Sequence, residues 1–94
     1  MDYSKIQSPC YVLDLASLEN NLRVIDSVRE RSGAEIIVAL KACAMWRIFP
    51  LLARHSDGAT ASSLAEARLV WEEYGRRAHT YAPVYTDRDF GQIM

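Results

Sequence analysis

The stretch Glu35-Ile36-Ile37-Val38-Ala39-Leu40-Lys41 decides the fold of this chain. Five apolar residues follow the glutamate without polar alternation, and most of them are β-branched. A strand that is buried on both faces has this composition, and such strands belong mostly to parallel sheets covered by helices. The run therefore predicts an inner strand over residues 35–40 of an α/β fold, with Lys41 at its carboxyl end.

A short strand and a helix are predicted ahead of this run. Residues 9–14 are predicted to form the strand, since a proline at a strand start loses no ladder hydrogen bond. Apolar residues then recur on one helical face and charged residues on the other. Asp14 or Ser17 can cap this helix, and Gly33 supplies its left-handed end. Its predicted apolar face consists of Leu18, Leu22, Ile25 and Val28.

Helices and strands continue to alternate after Lys41. The predicted ranges are helix 46–55, strand 58–61, helix 64–74, strand 79–82 and a further helix that begins at residues 86–89. Pro50 fits the first of these helices only in its first turn, and Gly75 ends the second. Aromatic residues at helical spacing are expected in the core, namely Trp46, Phe49, Trp71 and Tyr74.

The strand ends near Lys41, Ala61 and Ala82 lie 20 and 21 residues apart. Regular βα repeats without a glycine-rich phosphate motif favour a (β/α)8 TIM barrel over a dinucleotide-binding sheet. About three βα units plus the N-terminal strand and helix are present, whereas a complete barrel needs about 250 residues. Residues 1–94 are therefore expected to be the N-terminal fragment of a barrel domain, or to be completed by partner chains.

Composition excludes several classes of function. Eleven basic and twelve acidic residues give a net charge of −1, which provides no footprint for nucleic acid or an anionic membrane. No apolar run approaches the roughly 20 residues that span a bilayer, and the N-terminus lacks the layout of a secretory signal. Cys10 and Cys43 lack the spacing of zinc ligands, so no metal is expected. These features predict a cytoplasmic globular protein with free thiols.

Side chains at the carboxyl ends of barrel strands face the active site. Three such segments are residues 41–44, 60–63 and 82–85. Lys41 is the main candidate, because desolvation in a barrel mouth lowers the pKa of a lysine and favours the amine that forms Schiff bases. A lysine that extends from a strand end into water is the alternative interpretation.

Ser63-Leu64-Ala65-Glu66 has the pattern of a capping box, in which the hydroxyl accepts from the Glu66 N–H and the carboxylate accepts from the Ser63 N–H. Free N–H groups at this helix start could also meet an anionic cofactor group.

Cys43 could line a pocket beside Lys41, or be a small buried hydrophobe. His55 is expected to interact with a helix dipole, and His79 is expected to pack.

Three motifs resemble those of one enzyme family: Ser8-Pro9-Cys10-Tyr11-Val12-Leu13-Asp14, Ala39-Leu40-Lys41-Ala42 and Thr60-Ala61-Ser62-Ser63-Leu64-Ala65-Glu66-Ala67. They resemble the N-terminal portion of the carboxynorspermidine (carboxyspermidine) decarboxylases. The resemblance implies a pyridoxal-phosphate (fold type III) lyase of spermidine biosynthesis, with an alanine racemase-like barrel. It also implies a small polyamine-like amino acid as substrate and a homodimer or other homo-oligomer.

The resemblance assigns roles residue by residue. It implies that Lys41 is the Schiff-base lysine and that Ser63, Glu66 and Ala61 lie at the cofactor. Cys43, which replaces a bulkier apolar residue, and Tyr85 are candidates for the substrate pocket. Thr60 stands where ornithine decarboxylases carry an acidic residue, which argues against ornithine as substrate.

The family's ring-stacking histidine, phosphate loop, acidic partner of the pyridine nitrogen and C-terminal β-domain are expected beyond Met94. The 94 residues alone are therefore predicted to lack appreciable decarboxylase activity. One alternative is another enzyme of the same cofactor and barrel: diaminopimelate or ornithine decarboxylase, or a racemase. The segment after Lys41 lacks the Tyr-Gly pattern of racemases, however. The other alternative is a non-catalytic barrel fragment that self-associates through its exposed sheet face.

Overall fold

A computed structural model describes residues 2–94 of the chain. Within them, helices and strands alternate, as the sequence predicts. The elements are α1 (Leu15–Ser32), β1 (Ile37–Ala39), α2 (Phe49–Arg54), β2 (Gly58–Ala61), α3 (Leu64–Leu69), β3 (Ala78–Thr80) and α4 (Asp87–Ile93). A 3-10 turn, Trp46–Ile48, leads into α2, and a π-helical segment, Val70–Tyr74, continues α3.

The three strands form one parallel sheet in the order β1-β2-β3. The register pairs Ala39 with Thr60, and Thr60 with His79. Strands β1 and β3 are shorter than predicted, although the Tyr81 N–H still donates to the Ala61 carbonyl at 2.9 Å beyond the end of β3. The predicted α/β class and the parallel strand arrangement are confirmed.

The predicted strand over residues 9–14 is wrong. In the part of the chain that the structure describes, this segment has no regular secondary structure, and Tyr11 is 97% exposed. A strand requires a neighbour whose N–H and C=O groups it can pair with. Residues 2–94 provide no neighbouring strand for this segment, so the segment does not form a strand.

Local capping signals locate the helix ends correctly. The Asp14 side chain accepts from the Ser17 N–H at 3.3 Å, so Asp14 is the N-cap of α1. Gly33 ends α1 with a φ of 71°, a left-handed conformation that glycine adopts without steric penalty. At α4, Thr86 and Asp89 form a reciprocal capping box. Each of these ends depends on residues within one turn, which explains why the sequence predicts them.

The core lies between the helices and one face of the sheet. Phe49 is fully buried and contacts Tyr74, with ring centroids 5.3 Å apart. Trp46 and Trp71, in contrast, are 59% and 68% exposed, so the prediction that they lie in the core is wrong. The π-helical segment turns Val70 and Tyr74 toward the core. This leaves the intervening Trp71 outside.

Candidate active site

Among residues 2–94, helices cover one face of the sheet and leave the other face without a helix. Leu40, Ala59 and Ala61 are each at most 2% exposed and belong to the core cluster. Residues of the opposite parity share the uncovered face, because paired residues of parallel strands project to the same side. We call this the helix-free face and define it by Ile37, Ala39, Thr60 and His79. Ile37 is 38% exposed there, so the expectation that β1 is buried on both faces is wrong.

Lys41 lies at the carboxyl end of β1. Leu40 before it is buried under the helices, and the chain turns immediately afterwards, with the Ala42 N–H donating to the Ala39 carbonyl at 3.0 Å. Alternation from Leu40 therefore assigns Lys41 to the helix-free side, where it is exposed. Within residues 2–94 the side chain is exposed, so the burial that the sequence predicts for this lysine is not seen there. Within the same residues, no hydrogen bond or ion pair engages the amine.

The end of β2 lies beside the end of β1. Ser63 caps α3 by accepting from the Glu66 N–H at 3.1 Å, as predicted. The Glu66 carboxylate accepts from the Ser62 N–H at 3.1 Å and from the Ser63 hydroxyl at 3.3 Å. The predicted bond from the Ser63 N–H is therefore replaced by one from Ser62. The carboxylate thus ties the first turn of α3 to the carboxyl end of β2, next to Lys41.

The remaining predicted site residues have different surroundings. Ala61 is 1% exposed and faces the helices, so only its backbone is directed to the edge. Cys43 is half-buried and packs against the core cluster, which favours the interpretation as a small hydrophobe. The Tyr85 ring contacts Phe90, with centroids 5.3 Å apart, and its buried hydroxyl has no hydrogen-bond partner within residues 2–94.

His79 was expected to pack, and it is exposed on the helix-free face with its imidazole beside Gly58. Its Nε2 lies 3.3 Å from the position that a Cβ atom on Gly58 would occupy. Gly58 thereby leaves room for the imidazole on this face. Thr60 and His79 share the face with Lys41, a grouping that no local sequence pattern indicates. A glycine inside a strand was the available signal, because it often marks a close approach.

Two kinds of site are not found among the described residues. No three His, Cys, Asp or Glu side chains of residues 2–94 converge as a metal site. None of the helices in the described chain has the length and apolar character to cross a bilayer.

Comparison with known proteins identifies relatives along nearly the whole chain, although no family model matches it. Carboxynorspermidine/carboxyspermidine decarboxylases from Herminiimonas arsenicoxydans and Campylobacter jejuni are 40% and 36% identical over 89 and 93 residues. A carboxyaminopropylagmatine decarboxylase from Synechocystis sp. is 41% identical over 91 residues. These alignments cover 95%, 99% and 97% of the chain and 24% of each relative.

A solved structure shows the same relationship. The crystal structure of carboxynorspermidine decarboxylase from Campylobacter jejuni, complexed with norspermidine, matches 94% of the chain with a TM-score of 0.88 and 34% identity. The match covers 24% of that structure's chain, so the three βα units correspond to a fragment of a barrel decarboxylase. The chain is therefore homologous, over a span of about 24% of their length, to the carboxynorspermidine/carboxyspermidine decarboxylases that its motifs resemble.

Proposed function

We propose that this chain is the lysine-bearing segment of a pyridoxal-phosphate-dependent decarboxylase that converts carboxynorspermidine or carboxyspermidine to norspermidine or spermidine. One observation carries the proposal. Lys41 stands exposed and unpaired at the carboxyl end of a parallel strand, in a chain that superposes on a norspermidine-bound decarboxylase with a TM-score of 0.88.

The residues present fit pyridoxal phosphate by their chemistry. Capture of its aldehyde requires a primary amine that is accessible and not already engaged. The chain contains two lysines, Lys5 and Lys41. Only Lys41 follows a strand of the sheet, and its amine has no partner within residues 2–94. Pyridoxal phosphate, when bound, supplies an electron sink that accepts the electrons left behind as carbon dioxide departs.

The chain's own contribution is to hold an amine at a fixed point of the sheet. Leu40 is buried at 2% exposure, and the turn closed by Ala42 and Ala39 directs the backbone away after Lys41. The side chain therefore extends from a rigid base, which a positioned nucleophile requires. Ser63 and Glu66 fix the start of α3 beside it, and the resemblance assigns both to the cofactor site.

The names of the relatives favour a carboxylated polyamine as substrate. A second candidate reaction is decarboxylation of carboxyaminopropylagmatine, favoured by the 41% identity to the Synechocystis enzyme. We further propose a cytoplasmic homodimer or other homo-oligomer, supported by the family resemblance. Within residues 2–94, β1 and β3 each have a free edge that further protein would have to cover.

The test uses the whole protein that carries this chain, supplied with pyridoxal phosphate and each of the three carboxylated substrates in turn. Release of carbon dioxide and formation of the decarboxylated amine are measured. Lys41→Arg should lower the rate by more than about 10²-fold, whereas the matched control Lys5→Arg should not. Activity that persists in Lys41→Arg would contradict the assignment. The preferred substrate decides between the two candidate reactions.

A further inference from the structure

Four ionisable side chains connect α1 to the amino-terminal edge of the sheet. Asp26 and Arg29 lie on α1, His55 ends α2, and Asp57 immediately precedes β2. We propose that these four residues, which we call the latch, form a pH-sensitive network of ion pairs. This network holds α1 against the sheet most strongly at mildly acidic pH. The latch lies at the opposite end of the strands from Lys41, so it does not depend on the proposed activity.

The contacts of the latch form an unbroken chain. The Arg29 guanidinium donates to both carboxylate oxygens of Asp57, at 2.6 and 3.1 Å, which is a bidentate geometry. The same guanidinium donates to Asp26 Oδ1 at 3.2 Å. The other oxygen of Asp26 lies 2.5 Å from His55 Nδ1. Because an ionised carboxylate can only accept, Nδ1 is the donor.

Asp57 joins the latch to the sheet itself. Its Oδ2 accepts from the Ile36 N–H at 2.8 Å, and its own N–H donates to the Ile36 carbonyl at 2.7 Å. Ile36 directly precedes β1, and the next pair along the strands, Ile37 with Gly58, is already in the ladder. Asp57 thus adds one rung below the β1–β2 ladder, and Arg29 connects that rung to α1.

The apolar face of α1 is only partly buried, since Leu18 and Ile25 pack half-buried against the core, and the latch adds to this hydrophobic contact. Leu22 is the one residue of α1 that is fully buried. Val24 is 59% exposed, and Val28, expected on the apolar face, is 41% exposed. By contrast, the side chains of the latch are between 25% and 33% exposed and so are partly shielded from water.

Other charged groups surround the latch. Glu30 of α1 and Glu35 before β1 line the same shallow depression as Arg29 and Asp57. Arg54 precedes His55 at the end of α2. Arg76, after the π-helical segment, donates to the Ala53 carbonyl at 3.0 Å and acts electrostatically on Asp57. Acidic and basic neighbours are therefore mixed around the latch. The direct hydrogen-bond partners contribute most to the electrostatic environment of each carboxylate.

The direction of the pH response follows from these contacts. Histidine is the side chain whose charge ordinarily changes between about pH 5 and pH 8. Protonation of His55 places a positive charge against the Asp26 carboxylate, whereas the neutral ring offers only a hydrogen bond. The His55 hydrogen bond lowers the pKa of Asp26, and the Arg29 hydrogen bonds lower the pKa of Asp57, so both contacts favour the ionised carboxylates. Loss of the imidazolium charge therefore weakens the latch.

Amide hydrogen exchange of the full chain at about pH 5.5 and about pH 7.5, each corrected for intrinsic exchange, tests the latch. The amides of α1 should be protected about two- to fivefold more at the lower pH. His55→Gln should remove this difference. His79→Gln, which alters the only other histidine of the chain, should retain it. Asp26→Asn, which keeps the side-chain shape without the charge, should also remove the difference.

The latch is overturned by a wild-type chain whose α1 protection is the same at both pH values, or by a His55→Gln chain that keeps the wild-type difference. Far-UV circular dichroism at both pH values establishes that each variant is folded. The exchange measurement on wild-type protein is also repeated in high salt, because added salt screens partly exposed charge pairs. The pH difference should shrink in high salt, and a difference that salt leaves unchanged would also contradict the latch.

Discussion

The Leu40 N–H donates to the Thr60 carbonyl at 3.4 Å, and this bond is the last rung of the β1–β2 ladder before Lys41. It extends the pairing one residue past the end of β1 and fixes where the lysine leaves the sheet. Leu40 itself is buried at 2% exposure. The position of the proposed cofactor-binding amine therefore depends on a buried leucine that holds the strand end under the helices.

Leu40→Ala should destabilise the chain by about 2–5 kcal/mol, because it removes transfer free energy and leaves a cavity in the core. The free energy of unfolding is measured by urea denaturation. Val24→Ala, at a position that is 59% exposed on α1, is the control and should change stability by less than about 0.5 kcal/mol. Equal losses in the two variants would show that the strand end is not anchored through Leu40.

Gly58→Ala should displace the His79 imidazole, since the new Cβ would lie 3.3 Å from Nε2. We expect a small loss of stability that is relieved in the double variant Gly58→Ala, His79→Ala. Gly91→Ala is the control: nothing lies within 4 Å of its Cβ position, and its site in α4 favours alanine. Thermal unfolding measures all three variants. A double variant no more stable than Gly58→Ala would exclude the contact.

Stability should fall at acid pH partly through Asp57. Arg29 holds the pKa of this carboxyl below its ordinary value of 3.8. A carboxyl whose pKa is lowered by folding contributes stability above its unfolded pKa, and this contribution is lost as the pH falls through the folded one. In Asp57→Asn, the free energy of unfolding should therefore fall less steeply as the pH is lowered. It is measured by urea midpoints between about pH 2 and pH 5. Asp87→Asn is the matched control, the same change at an exposed position of α4 whose side chain makes no hydrogen bond within residues 2–94.

The 94-residue chain by itself should release no measurable carbon dioxide from carboxynorspermidine, with or without pyridoxal phosphate. Electrostatic stabilisation by positioned groups supplies most of a typical rate enhancement, and the chain spans about 24% of the length of its relatives. The assay is product formation against a blank without protein. Catalytic turnover by the purified chain would contradict the assignment of the remaining chemistry to other parts of the protein.

Structural features that depend on residues close in sequence, such as helix caps, could be predicted. Features that depend on contacts between distant residues, such as strand pairing and core packing, could not. Asp14, Gly33 and Thr86 act within one helical turn, so their caps were predicted correctly. The strand expected over residues 9–14 depends on a pairing partner that sequence pattern cannot supply. Trp71 lies outside the core because a π-helical segment shifts the helix phase.

The candidate site shows the same division. The place of Lys41 at a strand end followed from the apolar run before it. The exposure of Lys41 could not be predicted from that run, because solvent access depends on what covers the helix-free face. The contact between Asp26 and His55 joins residues that are 29 positions apart, and no local pattern relates them.

The most direct test of the central claim is borohydride trapping of pyridoxal phosphate on the whole protein that carries this chain, followed by peptide mass mapping. Lys5 and Lys41 are both exposed in this chain, so non-specific labelling would mark both. We predict reductive attachment at Lys41 and none at Lys5, with the Lys41 signal absent in Lys41→Arg. Equal labelling of the two lysines, or a protein that binds pyridoxal phosphate with Lys41 unmodified, would contradict the account.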